Sequence, residues 1–306
     1  MMVNKIKVAI IFESSPDVSH WDKGGLQGLK EAKERYGIDY TYIVREDTVR
    51  TLKTLGKQDF DIIISHDNLT WDNVVKIAPE FPNRWFGVPS IDPNALHPPN
   101  VFSYTPDWIQ GAYLIGLIAG KMTKTNKIGA PTPFLSYPTS IAHMESFKLG
   151  AKTVNPNAKV FIIEHRTHKE FNKGKETALS LINQGCDFFK TFAGPVDQGV
   201  FEALKENDLY CVATEPVDVK GVSDRILATG TYCFRNCLAD IIGEYLVKGD
   251  LENKDYYGNI TKGWVELYWD RLELVPNNVM ELVEVAKQDM MDDRLSIPWK
   301  YDLTKP

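Results

Sequence analysis

The 306-residue sequence lacks the short motifs that would assign it to a common class of enzyme. It has no G-x-S-x-G string of a serine nucleophile, no P-loop and no G-x-G-x-x-G dinucleotide fingerprint. Low-complexity tracts and long linkers are also missing, while apolar residues at 43% and charged residues at 25% are ordinary globular values. We therefore expect a folded protein that binds something and catalyses nothing.

The sequence also lacks a cluster of positive charge and a long apolar run. Its formal net charge is -6, which argues against a nucleic-acid partner. Its most apolar helical stretch, Ala112–Ala119, is much shorter than the roughly 20 residues that cross a bilayer, so we expect no membrane span. The opening residues MMVNKIK contain no apolar signal region. We expect either a cytosolic protein or one whose signal segment has been removed.

A metal-binding pattern is missing as well. The four cysteines form no C-x-x-C pair, and they fit buried, reduced thiols better than a zinc site. They are Cys186, Cys211, Cys233 and Cys237. His165, His168 and Glu170 share one predicted loop, but the spacing does not suit one helix face and no fourth ligand is near. We expect neither a metal nor a cofactor.

What the sequence does have is a regular alternation of short apolar strands and amphipathic helices. This alternation predicts parallel sheets with helices on their two faces. A chain of this length is too long for one ordinary core, and the alternating pattern occurs twice, on each side of residues 121–127. The predicted fold is therefore α/β, with two doubly wound, Rossmann-like lobes joined by a hinge.

The predicted lobes are discontinuous in sequence. We assign residues 1–124 plus about 231–255 to the amino-terminal lobe, and residues 125–230 plus about 256–306 to the carboxyl-terminal lobe. The segment Lys121–Lys127 is interpreted as a crossover between them, and Gly263–Trp269 as a hairpin strand. Because ligands of open parallel sheets bind beyond the carboxyl ends of the strands, the loops after the strands are the candidate site.

Several strings together resemble one family. Tyr104–Gly129 reads YTPDWIQGAYLIGLIAGKMTKTNKIG and Phe147–Pro156 reads FKLGAKTVNP, and further matches extend over nearly the whole chain. They are WDKGGLQGLKEA, PEFPNRWFG, KGKETALSLINQGCDFF, YYGNITKGWVEL and VPNNVMELVEVAK. This pattern resembles the basic membrane protein family of substrate-binding proteins, which have a type I periplasmic-binding fold.

The resemblance implies a function and a set of partners. Family members deliver small molecules, often purine nucleosides or nucleobases, to the permease of an ABC importer. It therefore implies a purine ligand held between two lobes by aromatic side chains, and an extracytoplasmic lipoprotein anchored at the membrane. It implies no cofactor.

The resemblance also implies site residues. Trp21 falls at the position of the family's first stacking aromatic and His168 at that of the second. Asp22 follows Trp21, and Asp107 is expected to contact the base edge. Asp218 falls where nucleoside binders place the aspartate that holds the sugar hydroxyls. The remaining candidates are Trp108 and Tyr232.

The chain departs from the family pattern at three of these positions. Tyr232 lies where nucleoside binders place a lysine, His168 is a weaker stacking surface than Phe or Trp, and Asp22 is an acid in place of an amide. These departures leave the ligand open among a nucleoside, a nucleobase and another flat heterocycle such as riboflavin.

Each candidate also has a structural interpretation. Trp21 lies in a predicted loop before a helix that starts at Lys23, where it could pack instead of stacking on a ligand. Asp22 and Asp107 each precede a predicted helix and could be N-caps. Trp108 could be packing, while His168 and Asp218 could be solvated loop residues.

Two alternative functions remain at the sequence level. A ligand-sensing regulatory protein of the same fold is compatible with reduced cysteines and with a start at Met1. A nucleoside hydrolase would use Asp22 and Asp107 as acid and base. The favoured function is the solute-binding component of an importer.

Overall fold

The computed structural model describes residues 5–45, 47–90, 95–135, 138–192, 194–215 and 221–298. These residues form two compact units, as the sequence predicts. Unit 1 comprises the described residues up to Pro106 together with Cys233–Gly258, and unit 2 comprises Asp107–Tyr232 together with the described residues from Asn259 onward. The chain therefore passes between the units three times.

Unit 1 is built on a parallel sheet. Its strands are β1 (Lys7–Phe12), β2 (Asp39–Val44), β3 (Ile62–Ser65), β4 (Trp85–Pro89), β5 (Val101–Pro106) and β11 (Asp255–Gly258). They run side by side in the order β11-β5-β4-β3-β1-β2, and every neighbouring pair is parallel. The helices of unit 1 are α1 (His20–Tyr36), α2 (Thr48–Gly56), α3 (Trp71–Ile77) and α8 (Phe234–Lys248).

The central strands of unit 1 are continuous apolar runs because helices cover them on two faces. β1 reads KVAIIF and is buried from its second residue onward, and all four residues of β3 are buried. This is the pattern expected of strands inside a parallel sheet. Helix α1 lies close to α8 at Gly28, where a Cβ atom would come within 2.8 Å of the Phe234 carbonyl oxygen.

Unit 2 is built on a mixed sheet. Its strands are β6 (Lys127–Thr132), β7 (Lys159–Glu164), β8 (Phe188–Thr191), β9 (Tyr210–Glu215), β10 (Ile226–Tyr232) and β12 (Val265–Trp269). Their order is β12-β10-β9-β8-β6-β7, with β12 antiparallel at one edge and the other pairs parallel. The helices of unit 2 are α4 (Trp108–Met122), α5 (Pro138–Val154), α6 (Phe171–Asn183), α7 (Asp197–Glu206) and α9 (Asn277–Met291).

Helix α4 is the buried centre of unit 2. Every residue from Ile109 to Gly120 is buried, as expected of a helix that is apolar on all sides. Three glycines let α4 and α5 approach closely. A Cβ atom at Gly116 would lie 2.3 Å from the Phe147 carbonyl oxygen, and one at Gly150 would lie 2.2 Å from the Tyr113 carbonyl oxygen.

The structure differs from the sequence-based division at α4. The division ended the first lobe at residue 124, but α4 packs against α5 and belongs to unit 2, so the chain leaves unit 1 after Pro106. Residues 121–127 are consequently no crossover. The Asp187 carboxylate holds this connector inside unit 2, because it accepts hydrogen bonds from the Lys124 and Thr125 backbone N–H groups at 2.7 and 2.9 Å.

The predicted hairpin strand is also placed differently. β12 covers most of the predicted range Gly263–Trp269, but it pairs with β10, with Gly230 opposite Leu267. Helix α8 and strand β11 of unit 1 lie between β10 and β12 in the sequence. β12 is therefore an edge strand added after a long excursion, and not half of a hairpin.

Candidate functional site

The first turn of α1 brings Trp21 and Asp22 to the carboxyl edge of the sheet in unit 1. The helix begins at His20, and the Ser19 side chain is its N-cap, accepting a hydrogen bond from the Asp22 N–H at 3.2 Å. The predicted start at Lys23 and the predicted N-cap role of Asp22 are therefore wrong. Ser19 is the cap because its hydroxyl accepts a hydrogen bond from a backbone N–H of the first turn. This N–H has no acceptor within the helix itself.

The Trp21 indole is fixed in position by its neighbours. Its Nε1–H donates a hydrogen bond to the His66 carbonyl oxygen at 2.8 Å. The indole lies 5.5 Å from the His66 ring and meets the Phe234 ring edge-on at 4.8 Å, measured between ring centroids. The side chain is half-buried. Trp21 is thus a packed, oriented residue with part of its surface uncovered, and not a loop residue.

The buried His66 ring connects Trp21 to Tyr104 through hydrogen bonds of its two nitrogens. Its Nε2 lies 3.0 Å from the Trp21 carbonyl oxygen, and its Nδ1 lies 2.6 Å from the Tyr104 hydroxyl. A carbonyl only accepts, so Nε2 carries the proton and Nδ1 accepts from Tyr104. Complete burial lowers the pKa of His66 to about 3, which keeps the ring neutral at physiological pH.

Asp22 is a buried carboxylate with one oxygen unused. Its Oδ2 accepts a hydrogen bond from the Ser14 N–H at 3.2 Å, whereas Oδ1 has no hydrogen-bond partner among the described residues. The residue is 2% exposed, and burial raises the pKa of Asp22 to about 6. A buried acceptor without a partner is costly, and it is the arrangement expected of a group that binds a ligand N–H.

Asp107, Trp108 and Tyr232 come together in unit 2. Asp107 is the N-cap of α4, since its Oδ1 accepts from the Ile109 and Gln110 N–H groups at 3.2 and 3.4 Å. The Trp108 ring lies 5.3 Å from the ring of Tyr232, which is the last residue of β10. The capping interpretation of Asp107 is confirmed, and a ligand contact from the same carboxylate stays a prediction.

Of the two remaining candidates of unit 2, the structure describes His168 but not Asp218. His168 is exposed, and its ring lies 5.3 Å from that of Phe134, which sequence reasoning did not single out. Its carbonyl oxygen accepts a hydrogen bond from the Val196 N–H at 3.1 Å. Asp218 lies outside the described residues, so its assignment to the sugar hydroxyls stays a prediction.

The carboxyl edge of the sheet in unit 2 carries a buried polar layer that sequence reasoning missed. Lys190 in β8 is fully buried, and His143 on α5 is 4% exposed. His143 Nε2 lies 3.3 Å from the Thr214 hydroxyl, and the His143 ring lies 5.7 Å from the Phe192 ring. The available signal was a lysine directly after two phenylalanines in a predicted strand of a parallel sheet, because such strands are covered on two faces.

One surface pocket lies away from these residues. It has a volume of about 460 Å³ and lies at the amino ends of β6 and β7, where Lys127 and Lys159 line it. Ligands of open parallel sheets bind at the opposite, carboxyl edge, so we do not assign this pocket to the site.

Two further expectations concern metals and membranes. Among the residues that the structure describes, no group of histidine, cysteine, aspartate and glutamate is arranged to hold a metal ion. All four cysteines are buried, as expected of small core residues. Within the described ranges, no helix has the length and apolarity needed to span a bilayer.

Two α/β units with polar and aromatic residues at their carboxyl edges are typical of solute-binding proteins. A family model described as ABC transporter substrate-binding protein, PnrA-like, matches residues 5–299. The chain belongs to this family, as the sequence resemblance predicted. Members of the family are substrate-binding proteins and not enzymes, which removes the hydrolase alternative.

Several relatives match the chain over different lengths. A nucleoside-binding protein of an ABC transporter from Lactococcus lactis is 27% identical over 96% of this chain and 90% of its own length. The transcriptional activator protein Med of Bacillus subtilis is 23% identical over 85% of this chain and 81% of its own length. A purine-binding protein of Brucella abortus is 29% identical over 60% of this chain.

Some of these alignments are partial. The chain spans about half the length of the Brucella protein, 53%, and of a CD4+ T-cell-stimulating antigen of Listeria monocytogenes, 52%. Among solved structures, an ABC solute-binding protein of Aeropyrum pernix has a TM-score of 0.79 at 18% identity, covering 97% of this chain and 94% of that one. A transcriptional activator of the comK gene from Bacillus halodurans has a TM-score of 0.80 at 18% identity, covering 95% and 99%. These likenesses show the type I periplasmic-binding fold.

Proposed function

We propose that the protein is the solute-binding component of an ABC importer and that it binds a purine nucleoside or nucleobase. The family membership supports the general role. The nucleoside-binding relative from Lactococcus lactis and the purine-binding relative from Brucella abortus support the ligand class.

The observation that carries the proposal is the fixed, half-buried indole of Trp21. Its Nε1–H bond to the His66 carbonyl and its edge contact with Phe234 hold the ring in one orientation before a ligand arrives. A flat heterocycle gains roughly 1–3 kcal/mol by stacking on an aromatic side chain. A ring that is already oriented loses little entropy on binding, so more of that free energy contributes to affinity.

The proposed mechanism is hinge closure. A ligand closes two units only if it interacts differently with the open and closed states, so it has to contact each of them. Trp21 and Asp22 are the proposed contacts from unit 1. The proposed contacts from unit 2 are Asp107, Trp108, His168, Asp218 and Tyr232.

A ligand panel tests the proposal. We would measure the melting temperature of the purified protein with inosine, guanosine, adenosine, hypoxanthine, riboflavin, thiamine and glucose, and confirm hits by calorimetry. Purine nucleosides should raise the melting temperature, since a ligand at 100 times its Kd stabilises the folded state by about 2.7 kcal/mol. Stabilisation by riboflavin or glucose alone would contradict the purine assignment.

The importer role implies a location and a partner. We propose that the mature protein is held on the outer side of the cytoplasmic membrane and docks on a permease. Mass spectrometry of the protein isolated from cells tests this proposal, because a lipid-modified amino-terminal cysteine is expected of a membrane-anchored binding protein.

A regulatory role is the second candidate, because the relative from Bacillus subtilis is a transcriptional activator. In that case the protein isolated from cells would carry an unmodified start at Met1, and it would remain in the cytosolic fraction. The purine panel does not separate the two roles, whereas the amino-terminal mass does.

A further inference from the structure

Lys190 occupies an unusual position for a lysine. It is the third residue of the four-residue strand β8, after Phe188 and Phe189, and it is fully buried. Side chains alternate along a strand, so Lys190 shares the face of Phe188, which packs with residues of α4 and α5. Lysine is almost never fully buried unless it is paired.

The N–H donors of the Lys190 amine meet no hydrogen-bond acceptor among the described residues. Its Nζ lies 2.9 Å from the centroid of the Phe192 ring and has no hydrogen-bond partner among the described residues. Burial moves the pKa of Lys190 well below its usual value, and the carboxylates of Asp197 and Glu215 oppose that shift. A buried amine without a hydrogen bond is unfavourable for the empty protein.

The groups around Lys190 are polar and stand at the edge where ligands of parallel sheets bind. His143 and Thr214 lie on the same side of the sheet and contact each other at 3.3 Å. The Thr132 hydroxyl, at the end of β6 on the same face, has no hydrogen-bond partner among the described residues. Unused polar groups at one sheet edge, here the Lys190 amine and the Thr132 hydroxyl, are expected of a binding site and not of a core.

We propose that Lys190 is a specificity-determining residue that donates a hydrogen bond to an acceptor on the ligand, and that the ligand class is the 6-oxopurines. This proposal rests on the proposed purine function and deepens it. In this proposal the Lys190 amine of unit 2 donates a hydrogen bond to the purine, and the Trp21 indole of unit 1 stacks on it.

The chemistry of the amine selects among purines. A protonated lysine amine donates hydrogen bonds and accepts none. The carboxylates of Asp197 and Glu215 favour this protonated form, and an acceptor on the ligand adds to their effect. A 6-oxopurine such as hypoxanthine or guanine presents two adjacent acceptors, O6 and N7, and lysine is a common partner of this pair. Adenine presents the N6 amino group, a donor, in place of the O6 acceptor. Two donors would then face each other, the adenine amino group and the Lys190 amine. Lys190 should therefore favour inosine and guanosine over adenosine.

The substitution Lys190→Met tests the proposal, because methionine keeps the length and the packing of the stem and removes the donor. Calorimetry with inosine and adenosine, on wild type and variant, gives the discrimination ratio. We expect the variant to lose at least about tenfold in inosine affinity, the scale of one good base contact, while adenosine affinity changes by less than about threefold. The melting temperature of the empty variant should be unchanged or higher, since an unpaired buried amine is replaced by an apolar group.

Two controls accompany this variant. Lys175→Met removes a partly exposed lysine of unit 2 that pairs with Glu202 and Glu206, and it should leave the two affinities unchanged. Lys190→Gln keeps an N–H donor at the site and should retain part of the preference for inosine.

The outcomes separate the proposal from the function on which it rests. If the wild type binds no purine, the proposed function fails. If the wild type binds purines but prefers adenosine, or if Lys190→Met loses equal affinity for the two nucleosides together with melting temperature, Lys190 is a structural residue and the inference is overturned. If Lys190→Met does not fold, the inference is tested by two other measurements. These are the preference of the wild type for inosine over adenosine and the part of that preference that Lys190→Gln retains.

Discussion

Trp21 links stability and binding in one side chain. Its indole packs on His66 and Phe234 and bonds to the His66 carbonyl, so Trp21→Ala should destabilise the empty protein by roughly 1–3 kcal/mol. The same change should reduce purine affinity at least about tenfold, because stacking on the indole is lost. Urea unfolding and calorimetry measure the two effects separately.

A second half-buried tryptophan of unit 1 serves as the control. Trp71 lies on α3, where its ring meets that of His97 edge-on at 5.2 Å. Trp71→Ala should lower stability by a similar amount and leave purine affinity unchanged. An equal loss of affinity in the two variants would mean that Trp21 acts through stability alone.

Asp22 should make stability depend on pH. Its pKa in the folded state, about 6, is higher than the value of about 3.9 in an unfolded chain, so the folded state holds the proton more tightly. The buried carboxylate therefore destabilises the protein fully above pH 6, and the penalty disappears as the pH falls toward 4. Asp22→Asn should raise the free energy of unfolding by roughly 1–3 kcal/mol at pH 7.5 and by little at pH 4.

The comparison has to be made between the two proteins at each pH, because buried histidines act in the opposite direction. Burial lowers the pKa of His66 to about 3 and that of His165 to about 4, so acidification below about pH 6.5 favours the unfolded state. These histidines are present in wild type and variant, so their contribution cancels in the difference. A difference that does not change with pH would show that Asp22 titrates normally.

The residue scale is where sequence reasoning was weakest. It selected Trp21 and Asp22 but started the helix too late, although the Ser19 cap is a local contact to Asp22. It could not foresee that Trp21 is held by His66, because that contact joins distant segments. It passed over Lys190, since a lysine in a strand is usually an exposed edge residue. Only the three-dimensional neighbours show that this lysine is enclosed.

At the scale of elements, the close approach of α4 and α5 depends on glycine. Because a Cβ atom at Gly116 would lie 2.3 Å from the backbone oxygen of Phe147, Gly116→Ala forces the two helices apart. We expect a loss of about 1–3 kcal/mol or more in the free energy of unfolding, measured by urea denaturation.

Gly111 on the same helix is the matched control. A Cβ atom there would come no closer than 3.4 Å to its nearest neighbour, a methyl carbon of Val265. Alanine is up to about 1 kcal/mol better than glycine inside a helix, so Gly111→Ala should be neutral or stabilising. If Gly116→Ala is equally harmless, the helices can separate without cost.

Most elements could be predicted because their periodicity is strong. The sequence pattern predicts strands at Lys7–Phe12, Ile62–Ser65 and Phe188–Thr191 and helices at Trp108–Met122 and Phe234–Lys248, and β1, β3, β8, α4 and α8 have these ranges. The pattern predicts no strand at β5 or β11, for physical reasons. β5 reads VFSYTP, with polar residues and a terminal proline, and β11 has only four residues. Their partners in the sheet, and not their own composition, make them strands.

At the scale of the whole molecule, the proposed closure predicts a change in size. If a purine draws the two units together, small-angle scattering should show a smaller radius of gyration with saturating inosine than without it. Glucose serves as the control and should have no effect. An unchanged radius with bound inosine, verified by calorimetry on the same sample, would contradict closure.

The discontinuity of unit 1 has a consequence during synthesis. Strand β11 and helix α8 complete unit 1, yet they follow the main part of unit 2 in the sequence. A ribosome needs on the order of ten seconds to translate the stretch from Pro106 to Gly258, and for that time β5 has an unpaired edge and α1 lacks its neighbour. The nascent first half therefore depends on the late arrival of its own missing parts, and chaperones that shield open sheet edges should bind the growing chain in this interval.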